Sequence, residues 1–424
     1  MTGRAAASGG PSGAGTGRAV ITGVGVVAPT GVGTDAHWKR VLAGESAIGR
    51  ITLFDPSPYP VTLAGEVPDF DPLAWADTRQ AVQTDRWTQL GFAATRLALA
   101  DAGLTDPPAD PYAYAVTLAS SSGGNLFGQK ELQRLWSQPS RTVGAYQSIA
   151  WFYAATVGQV SIAHQFKGPC GVLTTEAAGG LDSLAHAARL IRRGTPVVLA
   201  GGTECPLSPY ALTCQLRGGL VSTADDPARA YRPFDADAGG YVPAEGGAVF
   251  VVEDLAHARE RGAPVIYGEV AGWGASHDAR HTDIEGAGTA AHYARAMDLA
   301  LRRAGVRPDE VGLVVPDALG VRGHDRAEAR ALRGVFGPTT PPVTTSKPLT
   351  GRAHQGGAAL DVATALLALR HDMLPATVGL DRPAPGCELD FVREPRRPRA
   401  TTALVCARGF DGFNSAVLLR GYGG

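Results

Sequence analysis

The chain has 424 residues, with 39 Lys+Arg against 40 Asp+Glu and a formal net charge of −1. That balance gives no counterion-release drive toward nucleic acid or an anionic membrane surface, and no run of about 18 uninterrupted apolar residues offers a membrane-spanning helix. The length suits two or three domains or one large fold with a duplicated core, and 44% hydrophobic residues can fill a sizeable one.

Residues 1–17 (MTGRAAASGGPSGAGTG) are rich in Gly, Ser and Ala and lack an apolar segment, so they read as a disordered tail, not a signal peptide. Residues 19–28 (AVITGVGVVA) are a buried-strand run that stops at Pro29-Thr30-Gly31. Helical spacing over 88–103 ends at Gly103, a C-cap signal. Residues 113–119 read as a strand and 124–136 (GNLFGQKELQRLW) as a helix. Residues 171–175 (GVLTT) are another strand, turning through Glu176-Ala177-Ala178-Gly179-Gly180 into a helix. That helix carries Leu181, Leu184, Ala185, Ala188 and Ile191 on one face. Strands follow at 196–201 and 247–252.

A similar order then returns. Residues 265–274 are strand-like, 291–305 helical and 311–315 a strand. Residues 356–370 form a helix that is apolar nearly all round and is therefore expected to be buried. Residues 402–407 and 414–419 close the chain as strands. Two copies of one unit, 18–255 and 264–424, predict a five-layered α/β fold with helices between two sheets.

The five cysteines are odd in number and no pair has CxxC spacing, which fits a reducing cytoplasm without a disulfide framework. Gly23-Val24-Gly25-Val26-Val27-Ala28 matches the dinucleotide fingerprint GxGxxA, but no helix opens at the glycines to hold a pyrophosphate. His277 and His281 have H-x3-H spacing inside a polar segment that reads as a solvated loop, so no metal site is expected. Ser120-Ser121-Ser122 lacks the preceding Gly of a nucleophile elbow and reads as a strand end leading to a helix N-cap.

The turn at 175–180 is the informative one. A strand that turns sharply into the N-terminus of a buried helix presents a nucleophile, because the helix dipole and its free N–H groups lower a thiol's pKa and bind an oxyanion. The apex residue here is Ala177. The geometry of an active site is expected without its nucleophile.

The chain carries VITGVGVVAPTGVG (20–33), AAGGLDSLAHAARLIRRGTPVVLAGG (177–202), FDADAGGYVPAEGGA (234–248), DRAEARAL (325–332), KPLTGRA (347–353) and GFDGFNSA (409–416). This combination resembles the thiolase-fold condensing enzymes. Within them it is similar to the chain length factor, or ketosynthase β subunit, of bacterial aromatic type II polyketide synthases. The resemblance runs from about Arg18 to Tyr422 and implies a thiolase-like αβαβα fold. It places the nucleophilic Cys of active ketosynthases at Ala177, their first catalytic His at Asp317 and their second at Arg352. Three supporting residues, Asp325, Glu328 and Lys347, are kept.

The resemblance further implies a heterodimer with an active ketosynthase α subunit, served by an acyl carrier protein. No cofactor is implied beyond the phosphopantetheine delivered on that carrier. The interface is expected at 168–176 and 123–154, with Trp151, Phe152 and Tyr153. The helix face carrying Asn125, Gly128 and Leu132, with Tyr210, is implied to bound the polyketide tunnel. Small residues there predict a wide tunnel and a long product. Two alternatives stay open. One is an acyltransferase or malonyl decarboxylase acting in its own right, which has no thiolate at Ala177 to work with. The other is a nicotinamide-dependent oxidoreductase, resting on the GxGxxA match alone.

Overall fold

The computed structural model describes residues 17–139, 141–279, 287–398 and 401–423. The expected tail over 1–17 lies outside the described residues except for Gly17, and His281 lies outside them too.

The first half runs β1 (Ala19–Ala28), α1 (Arg86–Asp101), β2 (Tyr114–Ala119), α2 (Asn125–Ser137), β3 (Cys170–Leu173), α3 (Gly179–Arg192), β4 (Val197–Glu204), α4 (Pro209–Arg217) and β5 (Gly246–Asp254). The second half runs β6 (Gly268–His277), α5 (Ala287–Ala304), β7 (Leu313–Val315), α6 (Arg322–Phe336), α7 (His354–Arg370), β8 (Thr402–Gly409) and β9 (Phe413–Gly421). Spatial order is β3-β2-β4-β5-β1 in the first half and β7-β8-β9-β6 in the second. Directions repeat as well. β1/β5 and β5/β4 are antiparallel and β4/β2 parallel. Likewise β6/β9 and β9/β8 are antiparallel and β8/β7 parallel. The halves meet where Val20 and Ile21 of β1 pair with Glu269 and Gly268 of β6.

The layers follow from what each helix touches. α1 packs on β1, β5 and β4, and α5 on β6, β9 and β8, so these are the outer layers. α3 and α7 touch each other and strands of both halves, which makes them the middle layer. Every residue from Gln355 to Ala368 of α7 is buried, as expected of a helix enclosed on all sides. The molecule therefore has the five-layered αβαβα architecture.

The GxG in β1 has a packing explanation. A Cβ on Gly25 would lie 1.9 Å from the Ala94 carbonyl oxygen of α1, and one on Gly23 would lie 2.2 Å from that of Ala98. The second half repeats the device. A Cβ on Gly274 would lie 2.0 Å from the Ala296 carbonyl oxygen of α5, and one on Gly272 would lie 2.1 Å from that of Ala300. In both halves a glycine pair on the first strand lets the outer helix rest directly on the sheet. These glycines belong to helix–strand contact, not to a nucleotide.

Ser120–Ser122 lead, as expected, from the end of β2 to the N-cap of α2, which is Gly124, and Ser121 N–H and the Ser122 hydroxyl go to the buried Glu204 carboxylate. One local expectation is corrected. His277 is the last residue of β6, not part of a solvated loop, and its ring meets Phe413 edge-on with centroids 4.8 Å apart.

Gly274→Ala is expected to destabilise the protein by about 1–3 kcal/mol or more, since the clash is with backbone that cannot rotate away. A urea midpoint equal to that of the unmodified protein would contradict this.

Candidate functional site

β3 ends at Leu173, and Glu176–Ala178 make a single 3-10 turn before α3 begins. Glu176 holds φ 49, the sharp, left-handed geometry that a presented apex needs. Asp182, in the first turn of α3, accepts the Thr175 hydroxyl at 2.6 Å and the Ser415 hydroxyl of β9 at 2.8 Å. It thus ties the turn to both halves, at the helix end where negative charge is favoured. Ala177 sits at the apex, 2% exposed, and its methyl group can neither ionise nor accept a proton.

The neighbouring Glu176 is anchored twice. His354 Nδ1 lies 2.5 Å from its Oε1, and Phe410 N–H donates to Oε2 at 2.7 Å. His354 Nε2 lies 3.3 Å from Gln215 Oε1, which also accepts the Tyr241 hydroxyl at 3.2 Å. Burial alone would raise the Glu176 carboxyl. The hydrogen bond and charge of His354, with the charge of Arg352, pull it down to about 2.

An ion pair stands at the two implied histidine positions. Arg352 Nη1 is 3.1 Å from each Asp317 carboxylate oxygen, and Nη2 donates to the Arg408 carbonyl oxygen at 3.0 Å. Both side chains are buried. Burial works against the Arg352 charge, but Asp317, Tyr231 and Glu176 more than offset it and raise its pKa. A guanidinium held this way is neither a general base nor an acid.

The three supporting residues hold backbone in place. Glu328 accepts the N–H groups of Asp317 at 2.7 Å and Ala318 at 2.9 Å, and the Tyr293 hydroxyl at 3.0 Å. Asp325 accepts the N–H groups of Phe234 at 2.8 Å and Gly320 at 3.0 Å. Lys347 pairs with Asp361 of α7 in the core. Burial, with the charges of Glu328 and Asp317, pushes Asp325 up to about 8. Burial and Asp317 push Glu328 up to about 7.

A cavity of about 520 Å³ opens beside these groups, lined by Glu176, Gln215, Asp317, Arg352, His354 and Phe410 among others. Ala177 does not line it. Cys214 does and is exposed, whereas Cys205 is buried. All five cysteines are free. Among the described residues no cluster of three or more His, Cys, Asp or Glu could hold a metal ion.

The implied tunnel and interface residues stand elsewhere, around α2. Asn125 and Gly128 are buried, while Leu132 is 48% and Tyr210 53% exposed. The Tyr210 N–H donates to Gln129 Oε1 at 2.9 Å, joining α4 to α2. Trp151, Phe152 and Tyr153 are all exposed. The space beside Gly128 is not open: a Cβ there would lie 2.8 Å from Cδ1 of the Trp151 indole.

Sequence reasoning missed His354, Gln215 and Tyr241. His354 follows Arg352 by two positions, and nothing local reveals that it faces a glutamate 178 residues away.

Residues 17–258 match the family "Beta-ketoacyl synthase, N-terminal domain", and 267–381 match "Beta-ketoacyl synthase, C-terminal domain". The chain belongs to the β-ketoacyl synthase family. It is 51% identical over 406 residues to the tetracenomycin polyketide synthase ketoacyl synthase β subunit of Streptomyces glaucescens, covering 95% of this chain and 98% of that one. It is 35% identical over 415 residues to the α subunit of the same synthase, covering 95% and 96%. The solved ishigamide ketosynthase/chain length factor superposes with a TM-score of 0.88 at 28% identity, covering 96% and 99%. Within the β-ketoacyl synthase family the chain thus groups with ketosynthase β subunits.

Two outcomes are expected of the site. Ala177→Cys, paired with an α subunit stripped of its own nucleophile, should form no carbon–carbon bond, because Asp317 and Arg352 cannot do the work of the histidines. Condensed product above background would contradict this. The second concerns pH. Asp325 and Glu328 hold protons when folded that they release when unfolded, from ordinary values of 3.8 and 4.5. Their contribution is fully present below about pH 4 and is lost as pH rises to about 8, by at most about 1.4 kcal/mol per pH unit for each proton. Urea midpoints should fall across that range and flatten in Asp325→Asn. A slope identical in the two proteins would contradict it.

Proposed function

We propose that this chain is the non-catalytic chain length factor subunit of a type II polyketide synthase, pairing with an active ketosynthase and shaping the space in which the poly-β-ketone grows. One observation carries the reading: an intact condensing-enzyme fold holds Ala177 at the nucleophile and a buried Asp317–Arg352 ion pair at both histidine positions. Transthioesterification needs a thiolate, and a proton-transfer partner must be within reach of it. Neither is present.

The partner is an α ketosynthase, and its docking face is the one around β3. β3 is the edge strand of its sheet, with one side unpaired and its residues only partly covered. Such an edge is a ready template for another chain. Trp151, Phe152 and Tyr153 stand exposed in the adjoining 123–154 region, as large aromatics do at stable interfaces. Asn125, Gly128, Leu132 and Tyr210 bound the tunnel at this face. The acyl carrier protein brings the growing chain on its phosphopantetheine arm, and no resident cofactor takes part. Among the described residues no helix is long and apolar enough to cross a membrane. With five free cysteines, the reading places the synthase in the cytoplasm.

Size-exclusion chromatography of the chain with its α subunit should give a heterodimer. The chain alone should decarboxylate malonyl carrier protein no faster than buffer. Turnover by the isolated chain would instead favour a decarboxylase acting in its own right.

A further inference from the structure

Hydrogen-bond donors from three segments converge on the Glu176 carboxylate. Phe410 N–H donates to Oε2 at 2.7 Å from the loop between β8 and β9, and His354 Nδ1 meets Oε1 from the start of α7. Ala177 N–H, on the apex turn itself, bonds the same carboxylate, and the charge of Arg352 acts on it. The loop is built to come this close. A Cβ on Gly409 would lie 2.6 Å from the Thr175 carbonyl oxygen and 3.2 Å from Glu176 Cβ, so the missing side chain lets Phe410 N–H reach the carboxylate. The backbone around this point is strained. Glu176, His354 and Asp411 have left-handed φ values of 49, 46 and 66, and all three line the cavity. Strain of that kind persists where the surroundings impose it, and it gathers at ligand sites.

Backbone N–H groups and cations aimed at one point make an anion site. Here the occupant is a side chain of the same protein. We propose that Glu176 is a tethered ligand: its carboxylate fills a site for a small carboxylate or for the oxyanion of a thioester carbonyl, and so closes that site to any solute in the cavity. A solute can come within reach of it. The Glu176 side chain is 23% and the His354 side chain 19% exposed, on a cavity of about 520 Å³. A contact that served only to clip the three segments together would behave differently. Its loss would loosen them, and no free anion would restore them.

The test removes the tether and supplies the anion. Glu176→Gly takes away the carboxylate and suits a φ of 49. In the heterodimer with the α subunit, sodium acetate should raise the melting temperature of this variant saturably, by about 1–2 °C over sodium chloride at equal ionic strength. The unmodified heterodimer, which also tests the pairing itself, should not respond to acetate beyond the chloride control. Adding His354→Ala to Glu176→Gly should abolish the response. A Glu176→Gly heterodimer indifferent to acetate would overturn the proposal. So would a Glu176→Gly chain that fails to assemble both with and without acetate, or an equal response from the unmodified heterodimer.

Discussion

Arg352 has almost no route to water, and a buried guanidinium without a counterion would cost several kcal/mol. The chain meets this constraint with the Asp317 carboxylate, and Asp317 in turn is fixed through its own N–H by Glu328. Glu328 is braced by Tyr293 of α5. The pair therefore welds the start of α7 to the strand-end loop after β7, in the place where an active condensing enzyme would keep two mobile proton carriers. Removing either partner would strand a charge, so the two positions are locked together. A catalytic histidine must change protonation state during turnover.

Around that lock the rest of the site has become structural in the same sense. Glu176 keeps the strained apex backbone but spends both carboxylate oxygens on His354 and Phe410. Asp182 clips the turn to β9. The cavity remains because the five-layered fold that encloses it depends on other contacts: the glycine pairs of β1 and β6 beneath the outer helices, and two central helices that touch strands of both halves.

Much of this was legible in the residues. β1 and α7 are long apolar runs whose burial leaves few other conformations, and both lie within two residues of where the pattern put them. The three altered positions could be read too, because the resemblance fixes where the catalytic residues of active ketosynthases fall, and Ala177, Asp317 and Arg352 stand there. The Gly23/Gly25 repeat was misleading alone, since its reason is a helix contact and its echo at Gly272/Gly274 is visible only once both outer helices are in place. His354–Glu176 and Trp151–Gly128 were not legible. Each is a side-chain meeting of separate segments, and no periodicity encodes which segment reaches across.

The central claim is that the chemistry passes through the partner and never through this chain. The most direct measurement is intact-protein mass spectrometry of the assembled synthase, quenched during elongation. The account predicts acyl mass on the α subunit and the carrier protein, with this chain at its unmodified mass throughout. An acyl adduct on this chain that forms and decays with turnover would contradict it.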